Sequence, residues 1–308
     1  MKQLEGALWA ILLAGGEGVR LRPLIRELCG DERPKQFATI VGSKSLLSHR
    51  LGRVALKIRP ERTAIVTCRH IGKSMEQEFT ATLRQRVLVQ PEDRGTAADI
   101  CFPAHWINSQ DPEAVVAVFR SDHFILEEST FMSHVANVAA YVQRKPDRLV
   151  LFGQRRMSPI RSMAGSNPVG PVGKRGGDSL LHVSGFREKP TEGRARACLA
   201  SGCLMEHVAV CRENIDAARC WRRFLPHLMV RMGRADRLLP TERLLSIEQE
   251  YGRVAKADFS RTVLEACPAL LAVSTIQGVT WSDLGPLPKS YRQFRQWRQE
   301  RMDAVSLG

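Results

Sequence analysis

Apolar residues in this chain fall into short continuous runs, separated by longer stretches in which they recur every three or four positions. Residues 7–14 (ALWAILLA) are apolar on both faces, the pattern of a strand buried in the middle of a parallel sheet. Residues 63–67 (TAIVT), 86–90 (RVLVQ), 114–119 (AVVAVF) and 148–153 (RLVLFG) predict four more strands. Between them, residues 45–57, 70–83, 96–107 and 129–144 suit helices. In the first of these, Leu46, Leu47, Leu51, Val54 and Ala55 lie at helical spacing. Strands alternating with helices imply βαβ units and an α/β fold with a mainly parallel, doubly wound sheet.

After residue 153 the texture changes. Residues 158–177 are rich in Gly, Pro, Ser and Arg and read as a long loop. Strands are expected at 180–186, 207–211 and 270–276. Helices are expected at 191–201, over most of 217–243 with a break near Pro226, and at 287–302. No internal repeat or linker interrupts the chain, so one domain over residues 1–285 with a helical tail at 286–308 is the simplest organisation.

The 308 residues are 44% hydrophobic and 25% charged, which suits a folded chain and excludes a disordered or collagen-like one. No apolar run approaches the ~20 residues of a spanning helix, and the run at 7–13 is followed by a glycine loop, as a buried strand would be and a signal peptide would not. The eight cysteines form no C-x-x-C pair, so no zinc or redox site is signalled. Reduced thiols and a cytoplasmic location are the expectation. With 46 Lys+Arg against 32 Asp+Glu the net charge is +14, which favours phosphate-bearing partners. The cations are dispersed, however, and no run of five occurs, so a nucleic-acid partner is not expected.

The chemistry begins directly after the first strand, at LAGGEGVRLRP over residues 13–23. Gly15, Gly16 and Gly18 allow a tight turn and close approach of a ligand. Free backbone N–H groups in such a turn bind phosphate oxygens, and Arg20 adds a planar cationic fork. The spacing is neither that of the dinucleotide fingerprint nor that of a P-loop. RPKQF follows at 33–37 and supplies Lys35.

The glycine loop followed by PKQF resembles the sugar-phosphate nucleotidyltransferases, and most of all the mannose-1-phosphate guanylyltransferases. The resemblance recurs in order: QPEDRGTA at 90–97 is similar to the family's base-binding turn, SDH at 121–123 to its metal motif, and FG at 152–153 to the end of a family strand. FREKP at 186–190 and WSDLG at 281–285 resemble two further family segments. It implies a Rossmann-like nucleotidyltransferase core that transfers a nucleoside monophosphate, GMP foremost, from the triphosphate to a sugar 1-phosphate, mannose 1-phosphate foremost.

The same resemblance implies the roles. Leu13, Ala14, Gly15, Gly16 and Gly18 would hold the nucleotide, with Gln90, Gly95 and Thr96 at the base and Asp122 near the phosphates. Asp122 and Asp283 would hold Mg²⁺, an ion that takes few carboxylates and several phosphate or water oxygens. Arg20 would hold the pyrophosphate side, Lys35 would neutralise the triphosphate, and Lys189 would contact the sugar phosphate or α-phosphate. Glu188 would orient the sugar. Thr96 could equally cap the helix that follows it, and Glu188 could pair with a neighbouring Arg. GTP or another triphosphate and a sugar 1-phosphate are the expected partners, with self-association possible.

Three departures from the family pattern bear on function. Residues 162–170 lack the family's aromatics. Met205 and Glu206, within 202–207, stand where it carries Trp and Asn, and Gly95 stands where it carries Asn. A nucleotide-binding homologue without sugar transfer, acting as a regulator, is therefore the alternative. A third class rests on the tail, where Tyr291, Phe294 and Trp297 beside Arg292, Arg295 and Arg298 could meet RNA or a membrane surface, or simply dock on the domain.

Overall fold

The computed structural model describes residues 7–16, 18, 21–39, 44–72, 86–120, 123–154, 164–175, 178–191, 193, 204–212, 249 and 251–283. Strand β1 (Leu8–Leu13) is the first element among the described residues and alternates its side chains between two apolar layers. Trp9 and Ile11 enter one layer; Leu8, Ala10 and Leu12 enter the other. Helix α1 (Arg22–Cys29) follows, with Pro near its start and Gly30, at φ 77°, closing its end. Helix α2 (Leu46–Ala55) is capped by Ser45, whose side chain accepts from the Ser48 N–H at 3.1 Å.

Strand β2 (Thr63–Cys68) leads to a short helical turn, α3 (Arg69–Gly72), and β3 (Val87–Gln90) to helix α4 (Thr96–Gln110). Strands β4 (Val115–Arg120) and β5 (His123–Ile125), helix α5 (Glu128–Arg144) and β6 (Leu149–Gln154) complete the first half. Strands β3, β2, β1 and β4 lie side by side and run parallel, so their carboxyl ends share one edge of the sheet. That edge is where ligands of open α/β sheets bind.

The second half differs from expectation. Residues 164–175 form a strand, β7 (Ala164–Arg175), paired antiparallel with β8 (Asp178–Arg187). Pro168 and Pro171 disguised it, because proline removes a ladder donor. The register shifts beside both prolines, which is how a strand accommodates them. Strand β9 (Leu204–Arg212) is longer than expected and runs antiparallel to β4, β6 and β7. Strand β10 (Leu271–Thr275) runs parallel to β6 and antiparallel to β8. Since β9 also pairs with β7, the strands β9, β6, β10, β8 and β7 close on themselves. The nine-stranded sheet is thus mixed, with a parallel first half. A two-stranded ribbon joins β5 to β11 (Trp281–Asp283).

Helix α4 covers one face of the sheet, together with Tyr251, Val254, Phe259 and Val263 from the chain before β10. Helices α2 and α5 cover the other, where Phe131, Met132 and Val135 are fully buried. Cys29, Cys68, Cys101 and Cys211 are in no disulfide, as expected, whereas Cys267 is disulfide-bonded. Chain spacing alone gives no sign of such a pair, since it depends on tertiary proximity. The helices expected at 191–201, 217–243 and 287–302, most of that at 70–83, and the tail at 286–308 lie outside the described residues. Among the described residues no helix is long and apolar enough to cross a membrane.

Candidate active site

The glycine loop leaves β1 at the carboxyl edge, and the segment around Lys35 holds it in place. The Ala14 N–H donates to the Val66 carbonyl at 2.7 Å. The Ala14 carbonyl accepts from the Gln36 side-chain amide at 2.7 Å and from the Thr67 hydroxyl at 3.3 Å. Gln36 is fully buried, so RPKQF is the floor on which the loop rests. Gly18 has φ +64°, and a Cβ there would lie 2.8 Å from Lys35 Cγ. Glycine is needed at 18 both for its left-handed backbone and for its contact with the lysine stem. Gly15 lies against Cys68, whereas Gly16 faces open space. Leu13, Ala14, Gly15, Gly16, Gly18 and Lys35 are therefore brought together. Arg20 lies outside the described residues.

The turn expected to meet the base is engaged by the protein itself. Gln90 ends β3 opposite Cys68 of β2 and is fully buried. Its amide donates to the Tyr251 hydroxyl at 3.1 Å, and its carbonyl accepts from the Cys68 thiol at 3.8 Å. Asp99 also accepts from Gln90, and burial, with Asp93 nearby, pushes its carboxyl up to about 7. Burial raises the Tyr251 phenol well above its ordinary value. Gly95, not Thr96, is the N-cap of α4. The Thr96 hydroxyl instead accepts from the Phe259 N–H at 2.9 Å. The Gly95 N–H donates to Asp93 at 2.8 Å, and the Ala97 N–H to the Ala257 carbonyl at 3.1 Å.

At the metal motif, β11 lies antiparallel to β5 with Trp281 opposite Ile125, Ser282 opposite Phe124 and Asp283 opposite His123. Asp283 is thereby set across from the neighbour of Asp122. The ribbon is tied down by the Leu126 N–H on the Thr280 carbonyl at 3.1 Å and the Thr280 hydroxyl on Glu127 at 3.0 Å. Asp122 and the side chain of Asp283 lie outside what the structure describes. Mg²⁺ takes one or two carboxylates and completes its shell with phosphate and water oxygens, and the ladder places Asp283 at the position opposite His123. Among the described residues no group of three or more His, Cys, Asp or Glu forms a metal cage.

Lys189 has φ 46°, the only positive φ at a non-glycine among the described residues. Its ammonium lies 3.7 Å from Glu188, which is 9% exposed against 46% for Lys189. Among the described residues the ion pair of Glu188 is thus with Lys189. Met205 and Glu206 lie on β9, at positions opposite Gln154 and Gly153 of β6 and opposite Gly165 and Ala164 of β7. The two segments that depart from the family pattern therefore pair with each other. Gln36, Asp99, Tyr251 and Glu265 bear on the site without having been singled out from sequence. The partners of Gln36, Tyr251 and Glu265 lie 22, 161 and 77 residues away, and only Gln36 lies inside a recognised motif.

Residues 9–215 match the family described as Nucleotidyl transferase, and the chain belongs to that family. The xanthan biosynthesis protein XanB of Xanthomonas campestris pv. campestris is 31% identical over 193 residues, which is 62% of this chain and 39% of that protein. Mannose-1-phosphate guanylyltransferase RfbM of Salmonella typhimurium is 30% identical over 186 residues, 58% of this chain and 36% of that protein. The match thus spans less than half the length of these relatives. Among solved structures, mannose-1-phosphate geranyltransferase from Thermus thermophilus aligns with a TM-score of 0.73 at 23% identity, covering 91% of this chain and 76% of that one. UDP-glucose pyrophosphorylase with UDP-glucose aligns at 0.59 and 12% identity, covering 96% and 99%. These two share the Rossmann-like fold.

Proposed function

We propose that this chain transfers a nucleotidyl group from a nucleoside triphosphate to a sugar 1-phosphate, with GTP and mannose 1-phosphate as the first substrate pair to test. A phosphate oxygen of the sugar phosphate attacks the α-phosphorus in line. The new P–O bond forms as the α–β bridging bond breaks, and pyrophosphate departs. Charge gathers on the phosphoryl oxygens, so positioning and cations supply most of the catalysis. Lys35, braced against Gly18, neutralises the triphosphate beside the glycine loop, and Arg20 holds the pyrophosphate side. Lys189 meets the sugar phosphate or α-phosphate, and Glu188 orients the sugar. Asp122 and Asp283 would hold Mg²⁺, which would screen the phosphate oxygens from one another.

The observation that carries this reading is the pairing of Asp283 with His123, which joins two motifs separated by about half of the chain. The names of the relatives support guanine and mannose, and the PKQF segment agrees. A screen of four triphosphates against mannose, glucose and other hexose 1-phosphates, read by pyrophosphate release, tests it. The expected result is Mg²⁺-dependent release with at least one pair.

One observation favours a second reading, a nucleotide-binding regulator. The segments that depart from the family pattern, 164–170 and Met205 with Glu206, pair on β7 and β9 in the half expected to meet the sugar, while the glycine loop and Lys35 of the nucleotide half keep the family's residues. Thermal stabilisation by a triphosphate, without turnover of any pair, would establish that reading and sink the first.

A further inference from the structure

We infer that Glu265 is a positioning residue, which clamps the Glu188–Lys189 turn in the shape that presents Lys189 to the sugar phosphate. The inference rests on the function proposed above for Lys189. One Glu265 carboxylate oxygen accepts from the backbone N–H of Glu188 at 2.9 Å, and the other lies 3.0 Å from the Arg187 guanidinium. A single carboxylate therefore grips two consecutive residues immediately before Lys189. Bonds from an N–H to an ionised acceptor are among the stronger ones.

The grip falls where the backbone needs it. Lys189 sits at φ 46°, a left-handed conformation that a lysine adopts only when its surroundings impose it. On its other side Pro190 is buried, so the turn is held from both ends. Glu265 is itself fixed: it ends a π-helical turn (Ser260–Leu264), its N–H donates to the Ser260 carbonyl at 2.9 Å, and Val263 and Leu264 are buried beneath it. If the carboxylate is lost, the backbone at 189 can relax to a right-handed conformation. The lysine stem then leaves from a different direction, and its ammonium no longer starts near its place of work. Such loss of preorganisation weakens binding of the ligand the lysine meets and spares ligands held elsewhere.

Of the two contacts, the one to the Glu188 N–H carries the effect. The Arg187 pair is half-exposed, with 53% of the Arg187 side chain accessible, and such pairs contribute little.

The test is a set of variants assayed with the best substrate pair and by hydrogen exchange of the 186–191 segment. Glu265→Ala should raise KM for the sugar 1-phosphate about tenfold, leave KM for the triphosphate within twofold, and speed exchange at the Glu188 amide. Glu265→Gln, which can still accept that N–H, should restore the sugar 1-phosphate KM to within about threefold of the parent value. Arg187→Ala should change neither KM by more than twofold. Glu265→Asp keeps the charge but shortens the reach, and should show the same split in weaker form even if the alanine variant folds poorly. Equal rises in both KM values, or an unchanged sugar KM, would overturn the clamp. If the parent protein turns over no sugar phosphate, the functional reading fails by itself. Exchange at Glu188 then decides the clamp, and an unchanged rate in Glu265→Ala and Glu265→Asp overturns it.

Discussion

The side-chain amide of Gln90 donates to the hydroxyl of Tyr251 at 3.1 Å, across 161 residues of sequence. Both side chains are fully buried, and Phe102 meets the Tyr251 ring edge-on at 5.7 Å. The bond ties the end of β3 to the chain that precedes β10. It makes the expected base turn part of the hydrophobic core as well as a candidate binding element. Removing the hydroxyl in Tyr251→Phe keeps the ring and its packing but leaves the Gln90 amide short of an acceptor. The expected loss is about 1 kcal/mol of stability, read as a lower urea midpoint with an unchanged slope. If the turn must part from Tyr251 to admit a base, the same variant binds triphosphate more tightly.

Gly95 shows why this turn departs from the family's Asn. Its backbone, at φ 82° and ψ 171°, lies in a region that only glycine occupies readily. A Cβ there would also stand 2.4 Å from the Ala257 carbonyl oxygen. Gly95→Asn should therefore destabilise the protein by about 2–3 kcal/mol, although asparagine tolerates other left-handed positions. A thermal melt within one degree of the parent would show that the 257 segment moves aside freely.

Asp99 gives the turn a pH dependence. In the fold its carboxyl holds its proton up to about pH 7, against an ordinary value of 3.8. Burial is the main cause and the Asp93 charge adds to it; the Gln90 hydrogen bond and Lys256 oppose it. Between those two values the folded chain binds more protons than the unfolded chain. Stability should thus fall as pH rises through that window and level off above it. Asp99→Asn should flatten the dependence and melt higher than the parent at pH 8. Melting curves of both proteins from pH 5 to 8 check this, and parallel curves would refute it.

What could be read along the chain was what local pattern decides. Strand β1 and its glycine loop were legible because a continuous apolar run ends in a turn that only glycines permit. Strand β7 was not, since Pro168 and Pro171 mimic a loop unless the partner strand is known. Helix α1 was missed because its eight residues are too few to show a period. Tyr251 and Glu265 carried no signal at all: what each does is set by a partner 161 or 77 residues away. The motifs around Asp122 and Asp283 were recognisable one by one. Their meeting across β5 and β11 is a fact of the fold.

That meeting yields the most direct prediction about chemistry. The ladder from Trp281–Ile125 to Asp283–His123 fixes Asp283 relative to the residue beside Asp122. If both carboxylates serve one Mg²⁺, each change should weaken the same ion. Asp283→Asn keeps the size and the strand pairing but removes a charge. It should lower pyrophosphate release by about 100-fold or more and raise the Mg²⁺ concentration needed for half-maximal rate. Asp122→Asn should do the same. Because the two act as a unit, the double variant should be scarcely worse than either single one. A double loss equal to the product of the single losses would mean that the two carboxylates work independently, and a shared ion would then have to be abandoned.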